Sequence, residues 1–343
     1  PPWQERRALW RRYVPEAAEW PEAGLDALAR THRVGPGDIA SAARHFPADA
    51  REAGRVVRRG ARHRLGDLAQ LLETTFEWDD LVVGDELRRV LEDIVYEASN
   101  RALLWDRPEA RRLFPQGRGL PVLFSGPPGT GKTMAAQVIA QRLGLDLFRI
   151  DLSTVVSKYV GETSQNLQRV LTRASRTDAV LFFDECDALF SRRTEVRDAH
   201  DRFANTDTGH LLQAIESYQG IAVLASNRKG NIDPAFMRRL RYSLEFPKPS
   251  AAHRTILWQR LVSELAGADR GAALDASLRV LAEAIEATGA QIKSIVLGAL
   301  FAAGRENLPL GVPHLLRALD RELAKEGRVV SDRERQRLLL QVR

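Results

Sequence analysis

Gly126-Pro127-Pro128-Gly129-Thr130-Gly131-Lys132-Thr133 is the stretch that decides the fold of this chain. It follows the apolar run Val122-Leu123-Phe124 and opens into Met134-Ala135-Ala136-Gln137-Val138-Ile139-Ala140, a good helix former. Strand, glycine-rich loop and helix form the context in which G-x-x-x-x-G-K-T holds phosphate. The glycines let backbone N–H groups face an anion with no Cβ in the way. The helix start adds unpaired N–H groups and the positive end of its dipole. Lys132 then reaches the β- and γ-phosphates of a nucleotide, and Thr133 offers a hydroxyl to Mg²⁺.

Outward from the loop, apolar runs alternate with helical patterns. The runs are Val122–Ser125, Leu145–Ile150, Val180–Phe183, Ile221–Ala225 and Tyr242–Phe246, which predict five strands of a mostly parallel sheet covered on both faces. A helix is predicted from Asp85 to about Asn100, and another over Gln165–Arg173. From Ala251 the apolar period turns helical again, giving a small all-helical domain. The expected domains are a helical segment 1–75, an α/β domain 76–249, a helical domain 250–328 and a charged tail 329–343.

The ends of two buried strands carry the chemistry. Val180-Leu181-Phe182-Phe183 runs into Asp184-Glu185, and ligands bind at the carboxyl ends of parallel strands. Asp184 suits the metal, and Glu185 suits orienting and deprotonating the attacking water. Ile221-Ala222-Val223-Leu224-Ala225-Ser226 ends in Asn227, which either contacts the γ-phosphate and its water or simply forms a turn. Cys186, the only cysteine, reads as a packing residue because no histidine stands nearby in sequence to activate it.

Bulk properties agree with an ordinary globular chain: 343 residues, 44% hydrophobic, 28% charged, net charge +6. Most arginines are interleaved with acids, as in Arg317, Asp320, Arg321 and Glu322, which reads as solvated helix surface and argues against nucleic acid. There is no stretch as long as a membrane span and no signal peptide, and a single cysteine suits a reducing cytoplasm. The opening Pro1-Pro2 reads as a trimmed chain or part of a longer protein. A faint repeat links Arg7-Ala8-Leu9-Trp10 with Arg254-Thr255-Ile256-Leu257. Leu28 and Ile39 also stand eleven positions apart, as do Leu281 and Ile292. On that repeat the N-terminal segment is a second helical module like the one near the end of the chain.

Taken in order, Trp78-Asp79-Asp80-Leu81-Val82, GPPGTGKT, SKYVGET at 157–163, LFFDE at 181–185, ASN at 225–227 and DPAFMRRLRY at 233–242 resemble an AAA+ ATPase of the AAA subgroup. The resemblance implies an α/β P-loop NTPase fold: a five-stranded parallel sheet of AAA+ type, a C-terminal helical lid and an N-terminal helical segment. It implies ATP and Mg²⁺ as cofactors and a homo-oligomeric ring, taken as a hexamer. Val82, Val83 and Gly84 resemble the segment that meets adenine. Pro127, Pro128, Gly129, Thr130, Gly131, Lys132, Thr133 and Met134 resemble the nucleotide-binding loop. Thr133 and Asp184 resemble the metal side, Glu185 the base, and Asn227 the γ-phosphate sensor.

Arg238 and Arg241 fall at two arginine-finger positions, presented to the nucleotide of the next protomer. Arg239 stands where relatives often have an apolar residue or proline, so the choice among the three arginines stays open. Lys293 sits at a second sensor position, where it either contacts nucleotide or is an ordinary exposed helix lysine. Lys158, Tyr159 and Val160 resemble a pore loop that grips a threaded polypeptide. The alternative places Tyr159 in its own core. Arg192 to Arg202 reads as a possible second pore loop. The segment DECDALFSRR with DPAFMRRLRY further resembles bacterial ATPases that serve contractile injection particles. A nucleic-acid motor and an ATP-gated scaffold that threads nothing remain as alternatives. A membrane metalloprotease is disfavoured, since no His-Glu-x-x-His follows the lid.

Overall fold

In the computed structural model, residues 1–32, 34–65, 69–105, 107–114, 118–151, 170–172, 174–175, 179–186, 213–215, 217–227 and 237–330 are described. They divide into two compact units. The first contains the N-terminal helices and the sheet. The second gathers 79–88, the loop 126–132 and the chain from 245 onward.

The sheet has six strands among the described residues: β1 Gln70–Leu72, β2 Leu120–Ser125, β3 Leu147–Asp151, β4 Val180–Asp184, β5 Ile221–Ser226 and β6 Tyr242–Glu245, in the order β1-β3-β4-β5-β2-β6. Neighbours β3, β4, β5 and β2 run parallel. All six residues of β5 are buried, as expected for a strand covered on both faces. The core holds Leu123, Phe148, Leu181, Phe183 and Leu224. Buried Tyr218 packs there and donates its hydroxyl to the carbonyl of Ala179 at 2.7 Å.

The expected five strands become six. Gln70–Leu72 adds antiparallel to β3 at the edge. Three residues without a β-branched side chain carry no strand pattern of their own, so only the free edge of β3 orders them.

The N-terminal helices are α1 Trp3–Tyr13, α2 Glu22–Thr31, α3 Pro36–Ala43 and α4 Ala50–Leu65, around Trp10, Leu25, Ile39 and Ala53. Next come α5 Asp85–Trp105, α6 Pro108–Leu113 and α7 Lys132–Leu143. The second unit ends in α8 Ala251–Ala266, α9 Ala268–Ala284, α10 Gly289–Glu306 and α11 Val312–Ala324. Ser250 caps α8, accepting from the N–H of His253 at 3.2 Å. Trp258, Leu278, Ile292, Val296 and Leu319 fill the centre of this bundle.

The two helical groups share an internal clamp. Arg6, 9% exposed, donates Nε to the carbonyl of Ala29 at 2.8 Å and a terminal nitrogen to that of Pro1 at 2.5 Å. Arg254, 7% exposed, donates Nε to the carbonyl of Ala282 at 2.8 Å and a terminal nitrogen to that of Pro249 at 2.6 Å. One turn on, Trp10 and Trp258 are fully buried, and neither indole N–H meets a partner among the described residues. Two turns on, Val14 and Val262 are buried. The equivalent of Arg254 is therefore Arg6, one position before the arginine that the sequence comparison paired with it. The reason is side-chain direction: Arg7 sits beside Glu22 and Asp26 at the surface, while Arg6 turns inward.

His32 closes α2 at 4% exposure, and its Nδ1 meets no partner among the described residues. Burial, aided by Arg58 and Arg6 and opposed by Asp146, pushes its pKa down to about 4. The folded state thus resists a proton that the unfolded chain accepts from pH 6.5 downward. Stability is full above 6.5 and falls as pH drops toward 4, by on the order of 3 kcal/mol. Urea midpoints measured from pH 7 to 4.5 should fall for the native chain and fall less for His32→Leu. Equal slopes would show that another group carries the acid sensitivity.

Candidate functional site

The phosphate loop leaves β2 after Ser125 and ends in α7. Its glycines are sterically required. A Cβ on Gly126, at φ +142°, would lie 2.1 Å from the carbonyl oxygen of Phe246. One on Gly129, at φ +75°, would lie 2.7 Å from Thr288 Oγ1 and 2.8 Å from Ala290 Cβ. Lys132 is 8% exposed, and its Nζ donates to the carbonyls of Gly126 at 2.6 Å and Pro127 at 2.9 Å. Thr130 Oγ1 also donates to Pro127, at 2.8 Å. Pro128 and Gly129 are exposed. A buried ammonium inside a ring of left-handed glycines suits a polyanion.

Two segments of the same unit meet this loop. The Ala290 N–H donates to the Gly129 carbonyl at 3.3 Å. Thr288 and Gln291 form a capping box at the start of α10. The phosphate loop is therefore hydrogen-bonded to the first turn of a helix from the C-terminal bundle. Lys293 lies on that helix, exposed. On another side, buried Leu81 has its Cδ1 3.6 Å from where a Gly131 Cβ would stand. Arg88 donates to the Leu81 carbonyl at 2.9 Å, and Arg260 to that of Asp79 at 2.5 Å. Half-buried Val82, Val83 and Gly84 follow directly in this anchored segment.

In the first unit the parallel strands end along one edge, with Ser125 paired to Ser226 and Asp151 to Asp184 in register. Asp184 is half-buried. Its Oδ2 lies 2.8 Å from a terminal nitrogen of Arg149, and its Oδ1 accepts from the Glu185 N–H at 3.1 Å. Glu185 is exposed at φ +53°. A non-glycine residue pays about 1–2 kcal/mol for that conformation, and such outliers collect where function holds them. Buried Cys186 donates its N–H to the Ala225 carbonyl at 2.9 Å, tying the segment after β4 to β5. Asn227 is an exposed bend residue just past β5. Thr133, exposed, and Met134, half-buried, stand in the first turn of α7.

Arg238 and Arg239 are exposed in a turn. Arg241 is held: Nε donates to Glu97 Oε1 at 3.0 Å and Oε2 at 3.2 Å, and Tyr242 donates its hydroxyl to Glu97 Oε2 at 2.8 Å. Burial first, then the bond to Glu97, raises the Tyr242 pKa to about 12. Lys158, Tyr159 and Val160, the stretch Arg192 to Arg202, residues 233–236 and the tail 331–343 lie outside the described residues.

Sequence reasoning missed Arg149, Glu97 and Tyr242. For Arg149 a signal existed: a lone charge inside the apolar run Leu147-Phe148-Arg149-Ile150. Glu97 had none, since its partner lies 144 positions away.

Among the described residues no three His, Cys, Asp or Glu side chains gather into a metal cage. A hard cation held by one carboxylate, one hydroxyl and phosphate oxygens needs no such cage. The donor set of Thr133 and Asp184 fits that mode. Residues 122–248 match the AAA family, "ATPase family associated with various cellular activities (AAA)". The chain carries an AAA ATPase family domain.

An uncharacterized AAA family ATPase of Sinorhizobium fredii is 39% identical over 170 residues, 47% of this chain and 50% of that protein. The katanin p60 ATPase-containing protein of Sorex araneus (its A-like 1 form) is 31% identical over 278 residues, 75% of this chain and 54% of that protein. The proteasome-activating nucleotidase of Methanopyrus kandleri is 28% identical over 258 residues, 73% and 57% of the two chains. This chain thus spans about half the length of the relatives it matches. The AAA domain implies nucleotide binding with a divalent metal, and the relatives support ATP hydrolysis. No helix among the described residues is long and apolar enough to cross a membrane.

Proposed function

We propose that this chain is an Mg²⁺-dependent ATPase that works as a homo-oligomeric ring, a hexamer, to remodel, thread or assemble protein substrates in the cytoplasm. The observation that carries this reading is the hydrogen bond from the first turn of α10 to Gly129. It ties the loop that would hold the nucleotide to a helical bundle, so a change of charge at the loop biases the position of α10. Lys132 and the loop N–H groups bind the phosphates. Thr133 and Asp184 would hold the metal, which would supply charge to screen the phosphates. Glu185 takes the proton of the attacking water, Asn227 orients the γ-phosphate, and Val82, Val83 and Gly84 meet the base. Lys293, exposed on α10, adds charge near the phosphates.

The proposed domains are the helical segment 1–75, the ATPase domain 76–249, the lid 250–328 and the tail 329–343. The shared arginine clamp and the shared unpaired tryptophan N–H support reading the N-terminal helices as a second copy of the lid. The likeness of DECDALFSRR to ATPases of contractile injection particles extends the proposal to loading or assembling such a particle.

Tyr159 separates threading from gating. Tyr159→Ala should leave basal ATP hydrolysis within about twofold and lower processing of a partner protein at least about tenfold, through loss of one aromatic anchor. The partner is obtained by capture on the Glu185→Gln form in MgATP. Unchanged processing would favour a ring that assembles its partners without threading them.

A further inference from the structure

We propose that Glu97 is a positioning residue that presents Arg241 to the nucleotide of a second copy of this chain. The proposal rests on the ring reading above and deepens it by choosing among the arginines after β5. Three polar contacts converge on one place. Glu97, on α5, has 23% of its side chain exposed. It takes the Arg241 Nε–H between its two carboxylate oxygens, at 3.0 and 3.2 Å, while the Tyr242 hydroxyl completes Oε2 at 2.8 Å. The Arg241 main chain is fixed as well: its N–H donates to the Pro121 carbonyl of β2 at 2.9 Å.

Stability does not explain this arrangement. The Arg241 side chain is 63% exposed, and an ion pair so open to water is worth roughly 0–1 kcal/mol. What the contacts achieve is orientation. The Nε edge of the planar guanidinium is engaged, which leaves its terminal nitrogens available to an incoming anion. A free arginine side chain loses about 2 kcal/mol of rotamer entropy when it is immobilised on an anion. Anchoring by Glu97 and Tyr242 meets part of that cost in advance, and a pre-oriented cation stabilises developing γ-phosphoryl charge without reorganising. Arg238 lies exposed in the preceding turn, and no polar partner holds its side chain among the described residues. Of Arg238 and Arg241, Arg241 is thus the arginine that the fold aims.

Glu97→Gln in the full chain tests this. Expected are an unchanged KM for ATP, unchanged ring mass and unchanged melting temperature, with kcat lowered by on the order of tenfold, the share of that rotamer cost which the anchor offsets. Mixed rings discriminate further. Lys132→Ala protomers hydrolyse nothing themselves but carry an anchored Arg241. Mixed with Glu97→Gln protomers, they should restore turnover above the sum of the separate variants, because each intact nucleotide site then meets a properly held arginine.

Native kcat in Glu97→Gln, or mixed rings with no recovery, would overturn the anchoring role. Arg241→Ala keeps that failure distinct from failure of the ring reading. If Arg241→Ala is inactive while Glu97→Gln is native, only the anchor falls. If Arg241→Ala and Arg238→Ala both turn over normally, the trans-acting arginine falls too.

Discussion

Lys132→Ala is expected to bind ATP at least about 10³-fold more weakly than the native chain. The ammonium is almost wholly buried and already donates to two loop carbonyls, Gly126 and Pro127. It serves two purposes at once: it keeps those carbonyl dipoles turned onto a cation, and it supplies the one full positive charge within the loop. Truncation removes that charge and leaves two carbonyl oxygens beside an incoming triphosphate. Two charge-assisted hydrogen bonds at roughly 2 kcal/mol each amount to about three decades in Kd. Titration calorimetry with MgATP measures the loss. Native affinity in a folded Lys132→Ala chain would remove the phosphate loop from the site altogether. Since α7 begins at Lys132 and alanine is a better helix former, the variant should keep its far-ultraviolet circular dichroism.

Glu185→Gln should bind MgATP as tightly as the native chain and hydrolyse it about 10²–10⁴-fold more slowly, the usual worth of a placed general base. The neighbouring acid is assigned to the metal, not to the water. Asp184 is engaged on both oxygens, by Arg149 and by the Glu185 N–H, whereas the Glu185 side chain is exposed and carried on a left-handed residue. That backbone conformation costs about 1–2 kcal/mol and survives because the Cys186 N–H is pinned to β5 on its far side. It turns Glu185 away from the straight course of β4. Glutamine keeps the shape and loses the basicity, so the variant should accumulate with ATP bound. Steady-state hydrolysis at the native rate would transfer the base role elsewhere. Proteins captured by this form in ATP, and not in ADP, would test the proposed action on protein partners.

The phosphate loop, the four central strands and the helical end of the chain could be read directly from the residues. Each depends on local rules: apolar runs long enough for a strand, glycines at positions that allow no Cβ, a helix former after Lys132. Gln70–Leu72 could not be read, because a three-residue strand exists only by pairing with β3. The sequence pattern pairs Arg7 with Arg254, whereas the matching buried contact is made by Arg6. Neighbouring arginines look alike in a sequence, and only packing shows that Arg6 turns inward while Arg7 meets Glu22.

By itself, then, the order of residues determined that this chain builds a phosphate-binding α/β domain followed by a helical bundle, since a loop of that composition between strand and helix has few other conformations. Tertiary structure decided which distant groups meet. Arg149 reaches Asp184 across adjacent strands, Glu97 holds Arg241, and Ala290 reaches Gly129. The physical reason is the range of the interactions. Backbone preference acts within a few residues, whereas a charge finds its partner only after the core has brought separate elements together.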